Sequence, residues 1–168
     1  MPRKETILLA LDNSMTSNRV VKYAADMIGG RRNFTVRLLH ILEPVPPRLR
    51  EFRGSEDPTT EKKLDHELDV KWEEWTKEAK KTAQPIFDKA RSALMRAGVD
   101  NDAIRTEFWL PVTREDFVRD VLKVGQSNDC RTIVVGRRSF TGLNRIFHHQ
   151  VADELVRKAK GFTVWVVE

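Results

Sequence analysis

The stretch Thr132-Ile-Val-Val-Gly136-Arg-Arg-Ser139-Phe-Thr-Gly142-Leu-Asn-Arg-Ile-Phe-His-His149-Gln150-Val151 decides the fold. Thr132 to Val135 is an apolar, β-branched run, the pattern of a strand buried on both faces. A polar loop with glycines at 136 and 142 follows. From Val151 the apolar residues recur at Ala152, Leu155, Val156 and Ala159, the spacing of an amphipathic helix. Lys158, Lys160 and Gly161 close that helix. A strand that passes through such a loop into a helix belongs to an α/β sheet. At the junction, free backbone N–H groups and a helix N-terminus converge, the usual seat of a ligand phosphate.

The same alternation extends in both directions. Thr6–Leu11 is a continuous apolar run that stops at Asp12, and Val20, Val21, Ala24 and Met27–Ile28 follow at helical spacing up to Gly29-Gly30. Phe34–Leu42 reads as a second strand. Pro44, Pro46 and Pro47 then forbid regular structure. Asp57-Pro58-Thr59-Thr60 is a helix start, because Asp caps the free N–H groups and proline suits the first turn. From there Leu64, Leu68, Trp72, Trp75, Ala79, Ala83, Ile86–Phe87, Ala90 and Leu94 keep one apolar stripe to Ala97-Gly98, with Pro85 expected to kink or break it. Trp72 and Trp75 are expected to pack, and the first half of this helix to overhang the domain and meet a second copy of the chain. Ile104–Leu110 reads as a third strand, Pro111 to about Ser127 as a helix, and Phe162–Val167 as a last strand. Strands separated by helices imply right-handed crossovers and a parallel sheet covered on both faces. The expectation is one α/β domain of three layers, α/β/α, over residues 1–168, with an elaborated loop and long helix at about 43–97.

Composition narrows the function. The 168 residues are 40% hydrophobic and 33% charged, which suits one core beneath a charged surface. No apolar run approaches the roughly 20 residues a membrane span needs. Met1-Pro-Arg-Lys-Glu5 lacks an apolar leader, and the one cysteine, Cys130, rules out an intramolecular disulfide. Both point to the cytoplasm. The net charge of +5 is spread among acids, with Arg31-Arg32 and Arg137-Arg138 as pairs only, so neither a nucleic-acid nor a membrane partner is expected.

Read in order, several pieces resemble the universal stress proteins. They are Ile7-Leu-Leu-Ala-Leu-Asp12-Asn-Ser14, Ser17, Tyr23-Ala24, Leu38-Leu39-His40-Ile41, Ile133-Val-Val-Gly136, Gly142-Leu143 and the closing Val164-Trp-Val-Val167. The resemblance implies a five-stranded parallel sheet of order 3-2-1-4-5, whose reversal between strands one and four opens a crevice at their carboxyl ends. Asp12 and Gly136 flank that crevice. By the same resemblance, Asp12 stands near phosphate or metal and Ile41 near an adenine.

Nucleotide-binding members of the family carry Gly-x-x-Gly, nine residues, then Gly-Ser/Thr. Glycines let the backbone approach phosphates and permit positive φ. Here Gly136 fits, but Ser139, His149 and Gln150 fall on the other three positions. The His149 imidazole takes space a phosphate needs. The resemblance therefore implies a member without efficient ATP binding, a dimeric binding or regulatory module of the stress response with no cofactor. The alternative is an adenine-nucleotide switch or slow ATPase, with Asp12, Ile41, Gly136, Ser139, Gln150 and Val151 lining the site. In that case Arg137, Arg138, Arg145 and His149 are possible anion contacts, since guanidinium groups hold phosphate by paired hydrogen bonds.

No catalytic or metal centre is expected. His148 and His149 are adjacent, so on a helix their side chains diverge by about 100°. His40 reads as a hydrogen-bonded core histidine, Cys130 as a small hydrophobe, and Ser14 lacks a nucleophile elbow. Phe162–Val167 is expected to be an edge strand with no charge, proline or glycine at its centre, and to pair with a second copy as a homodimer. Other protein partners are expected but are not named by the residues.

Overall fold

The computed structural model describes residues 4–49, 57–111, 117–137 and 151–168. Five strands form one parallel sheet: β1 (Glu5–Leu11), β2 (Phe34–Ile41), β3 (Ile104–Trp109), β4 (Cys130–Gly136) and β5 (Thr163–Val167). Their order is β3-β2-β1-β4-β5, as the resemblance implied. β1 is central, and Ile7 to Leu11 are all buried because helices cover both faces. Alternate residues serve opposite cores. Ile7, Leu9 and Leu11 pack with helices α1 (Met15–Ile28) and α2 (Pro58–Arg96). Leu8 and Ala10 pack with α3 (Phe117–Ser127) and α4 (Val151–Lys158).

Local chemistry sets the helix ends. Ser14 caps α1 through a hydrogen bond from Ser17 N, and α1 ends at Gly29. Asp57 caps α2, accepting from Thr59 N and Thr60 N, with Pro58 in the first turn. Side-chain hydrogen bonds from Thr60 and backbone ones from Thr59 hold the Asp57 carboxyl below its usual pKa.

Several expectations need correction. Pro85 does not break α2, which runs unbroken from Pro58 to Arg96. The carbonyl that proline leaves without an N–H donor is that of Lys81, on the water side of the helix, where solvent can satisfy it. Pro111 is not helical, and the described part of the third helix is Phe117–Ser127, residues 112–116 lying outside those described. β4 is longer than read and includes Cys130 and Gly136. Trp72 is not part of either core cluster and is 38% exposed, on the half of α2 where no residue is buried. β5 is an edge strand, with Phe162, Val164 and Val166 toward one core and Trp165 and Val167 toward the other.

Candidate functional site

The loop after β1 is tied down by its own first residue. One oxygen of the Asp12 carboxylate accepts from Ser14 N at 3.0 Å, Ser14 Oγ at 2.5 Å and Ser17 Oγ at 2.6 Å. Ser17 Oγ in turn accepts from Asp12 N at 2.8 Å. Hydrogen bonds to an ionised acceptor are the strong ones. Asp12 thus organises the turn into α1 before any ligand arrives.

The other expected residues gather at the same end of the sheet. β1 and β4 are neighbours in parallel register, Leu9 opposite Val134, so their carboxyl ends lie side by side. Gly136 closes β4 beside Val167. Ile41 ends β2, but its side chain is 5% exposed and belongs to the α3/α4 core. Val151 opens α4 and packs against that core. Arg137 follows Gly136, its backbone N–H bonded to Val167 O at 2.8 Å. Its guanidinium pairs with Asp153 at 3.8 Å and with Glu168. An anion arriving at Arg137 therefore competes with two carboxylates. Arg138, Ser139, Arg145, His149 and Gln150 lie outside the described residues.

His40 is the hydrogen-bonded histidine expected. Its Nδ1 lies 2.9 Å from Leu11 O. A carbonyl only accepts, so Nδ1 carries the proton and Nε2 is the bare acceptor. The ring meets Phe87 and Phe108 edge-on. Desolvation lowers its pKa from 6.5, outweighing the hydrogen bond to Leu11 and the nearby Asp12 and Glu43 charges. Cys130 is buried, and desolvation raises its thiol pKa to about 11, against the Arg37 charge, so the thiolate needed for reactivity is scarce.

Sequence reading missed a large groove among the described residues. It is a groove of about 930 Å³ between α1 and α2, reached by Asp12, Ser14 and His40 at one end and walled by Val21, Trp75 and Ile86. It lies on the opposite face of the sheet from the Ile41 side chain. The paired apolar stripes of α1 and α2 were visible in the sequence, but not the space left between them. Among the described residues no His, Cys, Asp and Glu group could hold a metal ion, and no helix is long and apolar enough to cross a membrane.

The fold has many solved counterparts. A universal stress protein in complex with cAMP superposes with a TM-score of 0.58 at 16% identity, over 98% of this chain and 96% of that one. The universal stress protein from Archaeoglobus fulgidus in complex with dAMP gives 0.59 at 18% identity, over 100% of both chains. A universal stress protein family member from Burkholderia pseudomallei gives 0.59 at 18% identity, over 98% and 96%. At such identities the likeness is one of fold. No curated protein matches the chain significantly. The sequence model of the universal stress protein family matches residues 4–168. On that match and this sheet order, the chain belongs to the universal stress protein family.

Proposed function

We propose that the chain is a dimeric binding module of the cytoplasmic stress response, regulatory rather than catalytic, and without efficient ATP binding. The observation that carries this reading is the engagement of Arg137, which directly follows Gly136 at the end of β4, by Asp153 and Glu168. A phosphate at that point meets two carboxylates already on the guanidinium. The replacement of three motif positions by Ser139, His149 and Gln150 supports the same reading.

A second reading is an adenine-nucleotide switch. What favours it is that solved structures of the same fold hold cAMP and dAMP, and that Asp12 and Gly136 sit at adjoining strand ends. Calorimetric titration with MgATP, AMP and cAMP, at pH 7.5 and pH 6, separates the two. No heat from any of them supports the first reading. Saturable binding of ATP at either pH overturns it. The double change His149→Gly, Gln150→Ser restores the family motif at those positions. It creates ATP binding if the first reading holds and changes little if the second does.

We assign the dimer to the outer edge of β5, which pairs with no further strand among the described residues. Val167 O faces β4, where it accepts from Arg137 N. Backbone groups alternate sides along a strand, so those of Val164 and Val166 face outward. Val164→Pro removes one outward donor and keeps the ladder to β4. The expected result is loss of strand pairing, read as a fall in mass by light scattering; an unchanged mass refutes this interface.

A further inference from the structure

The stripe that seats α2 on the sheet does not stop where the sheet does. Phe87, Ala90 and Leu94 are buried in one core with residues of β1, β2 and α1, and Ala83 is buried one turn before them. Stepping back along the same face come Ala79, Trp75, Trp72, Leu68 and Leu64, three or four residues apart throughout. From Pro58 to Thr82 no residue is buried. This arm is about 37 Å long at 1.5 Å per residue. A polar arm can stand in solvent alone, but an apolar stripe bearing two tryptophans asks for a cover.

Among the described residues the same chain has a groove of matching length. The space between α1 and α2 extends along α2 from Trp75 to Arg96, about 32 Å by helix rise. The stretch of arm from Pro58 to Trp75 is about 26 Å long on the same scale. The charges on α2 are also polarised. In residues 57–69, Asp57, Glu61, Asp65, Glu67 and Asp69 outweigh Lys62 and Lys63. In residues 71–96, Lys71, Lys77, Lys80, Lys81, Lys89, Arg91 and Arg96 outweigh Glu73, Glu74, Glu78 and Asp88. Lys89 and Arg96 line the α2 wall of the groove beyond Trp75, with Glu78 nearer Trp75 and Asp12, Lys22 and Glu43 on the other elements.

We propose that the arm of one copy lies antiparallel in the α1/α2 groove of a second copy, and the reverse, about a two-fold axis near Trp75. Leu64, Leu68 and Trp72 of each arm cover the apolar groove wall of the other. The acidic end of each arm meets the second copy's Lys89 and Arg96. A helix negative at one end and positive at the other complements itself only when antiparallel, which is the symmetry of an isologous dimer. A parallel pair sets like charges and like helix dipoles together. The chain's own charge pattern thus selects a second copy as the occupant. This contact uses a surface separate from the β5 edge, so it does not depend on the strand pair; together the two join β5-paired dimers into a tetramer.

Light scattering on the full chain tests it with Leu68→Glu/Trp72→Glu, with Val164→Pro, and with all three changes. Leu68 and Trp72 touch no buried core, so the arm variant keeps the fold, which circular dichroism and an unchanged urea midpoint verify. The arm variant is expected at half the wild-type mass, and the triple variant as a monomer. If only the β5 assignment is wrong, Val164→Pro leaves the mass unchanged while the arm variant still halves it. An arm variant as heavy as wild type overturns the arm contact. Cysteine oxidation reads the direction, because the native Cys130 is buried. Trp75→Cys is expected to link two copies, and Thr59→Cys is not, since antiparallel arms hold the two Thr59 positions about 50 Å apart. Linking at 59 and not at 75 overturns the antiparallel arrangement.

Discussion

Gly29 ends α1 with no left-handed backbone, at φ −51°. Its role is close approach. A Cβ there would stand 2.5 Å from Ala97 O and 2.7 Å from Ala25 O. A carbon and a carbonyl oxygen come no nearer than about 3.3 Å, so the ends of α1 and α2 must part by about 0.8 Å. Neither obstacle is a side chain that can turn away. Ala97 is the C-cap of α2, its N–H held by Ala93 O and Leu94 O. Overpacking costs about 1–3 kcal/mol, and a backbone obstacle belongs at the upper end. Strain on the 2.8 Å bond from Gly29 N to Ala25 O adds up to about 1 kcal/mol. Gly29→Ala is therefore expected to cost about 3 kcal/mol. Gly30→Ala is the control. Gly30 has φ +73° and open space around it, so a side chain there meets only the left-handed penalty of about 1–2 kcal/mol. Urea unfolding followed by tryptophan fluorescence reads both. With a slope of about 2–3 kcal/mol per molar urea, the midpoint falls by about 1 M or more for Gly29→Ala and by about 0.5 M for Gly30→Ala. A Gly29→Ala midpoint at or above that of Gly30→Ala would refute the close-packing argument.

Three further outcomes follow from buried chemistry. The native state resists protonating His40, whereas the unfolded chain takes up a proton near pH 6.5, so stability is full above that pH and falls as pH drops below it. His40→Phe, packed beside Phe87 and Phe108, should flatten that acid limb in urea midpoints at pH 7.5, 6 and 5; an equal slope in both proteins would exclude His40 as its cause. The Cys130 thiol, raised to about pKa 11, should react with iodoacetamide at pH 8 far more slowly in the native protein than in urea, and equal rates would contradict its burial. Glu107 meets Arg37 at 2.9 Å and accepts from Asn128 at 3.3 Å, while Arg37 Nε is buried without a partner among the described residues. Glu107→Ala strips the guanidinium of its counter-charge and is expected to cost about 1–3 kcal/mol by urea unfolding, with Glu107→Gln intermediate.

What could be read from the chain was what is local or periodic. The β1 run ending at Asp12, the Asp57-Pro58 helix start and the apolar stripes of α1 and α2 each follow from nearest-neighbour chemistry. The strand order came through the family resemblance, because periodicity says that strands exist but not which neighbour each takes. Pro85 does not break α2 because a helix tolerates a missing donor when the freed carbonyl faces water, and that depends on exposure. Trp72 misled because an apolar stripe does not say whether the sheet is long enough to cover it. The Asp12 knot was hidden for a different reason: Asp, Ser14 and Ser17 were recognised singly, but their three hydrogen bonds exist only once the loop has turned. The α1/α2 groove is a shape, and shape is set by how two packed surfaces fail to meet.

The length of α2 has a mechanical consequence. Phe87, wedged between α2 and the Phe108 ring 4.6 Å away, acts as a fulcrum. Beyond it the helix is a lever of about 43 Å, so a tilt of about 10° carries the tip near Pro58 through about 8 Å. Pro85 sits next to the pivot, where one backbone hydrogen bond is missing and bending is easiest. The short side of the lever leans on β2, which ends at the crevice. A small tilt of the seated half is thus enlarged along the arm that the proposed contact lays against the second copy.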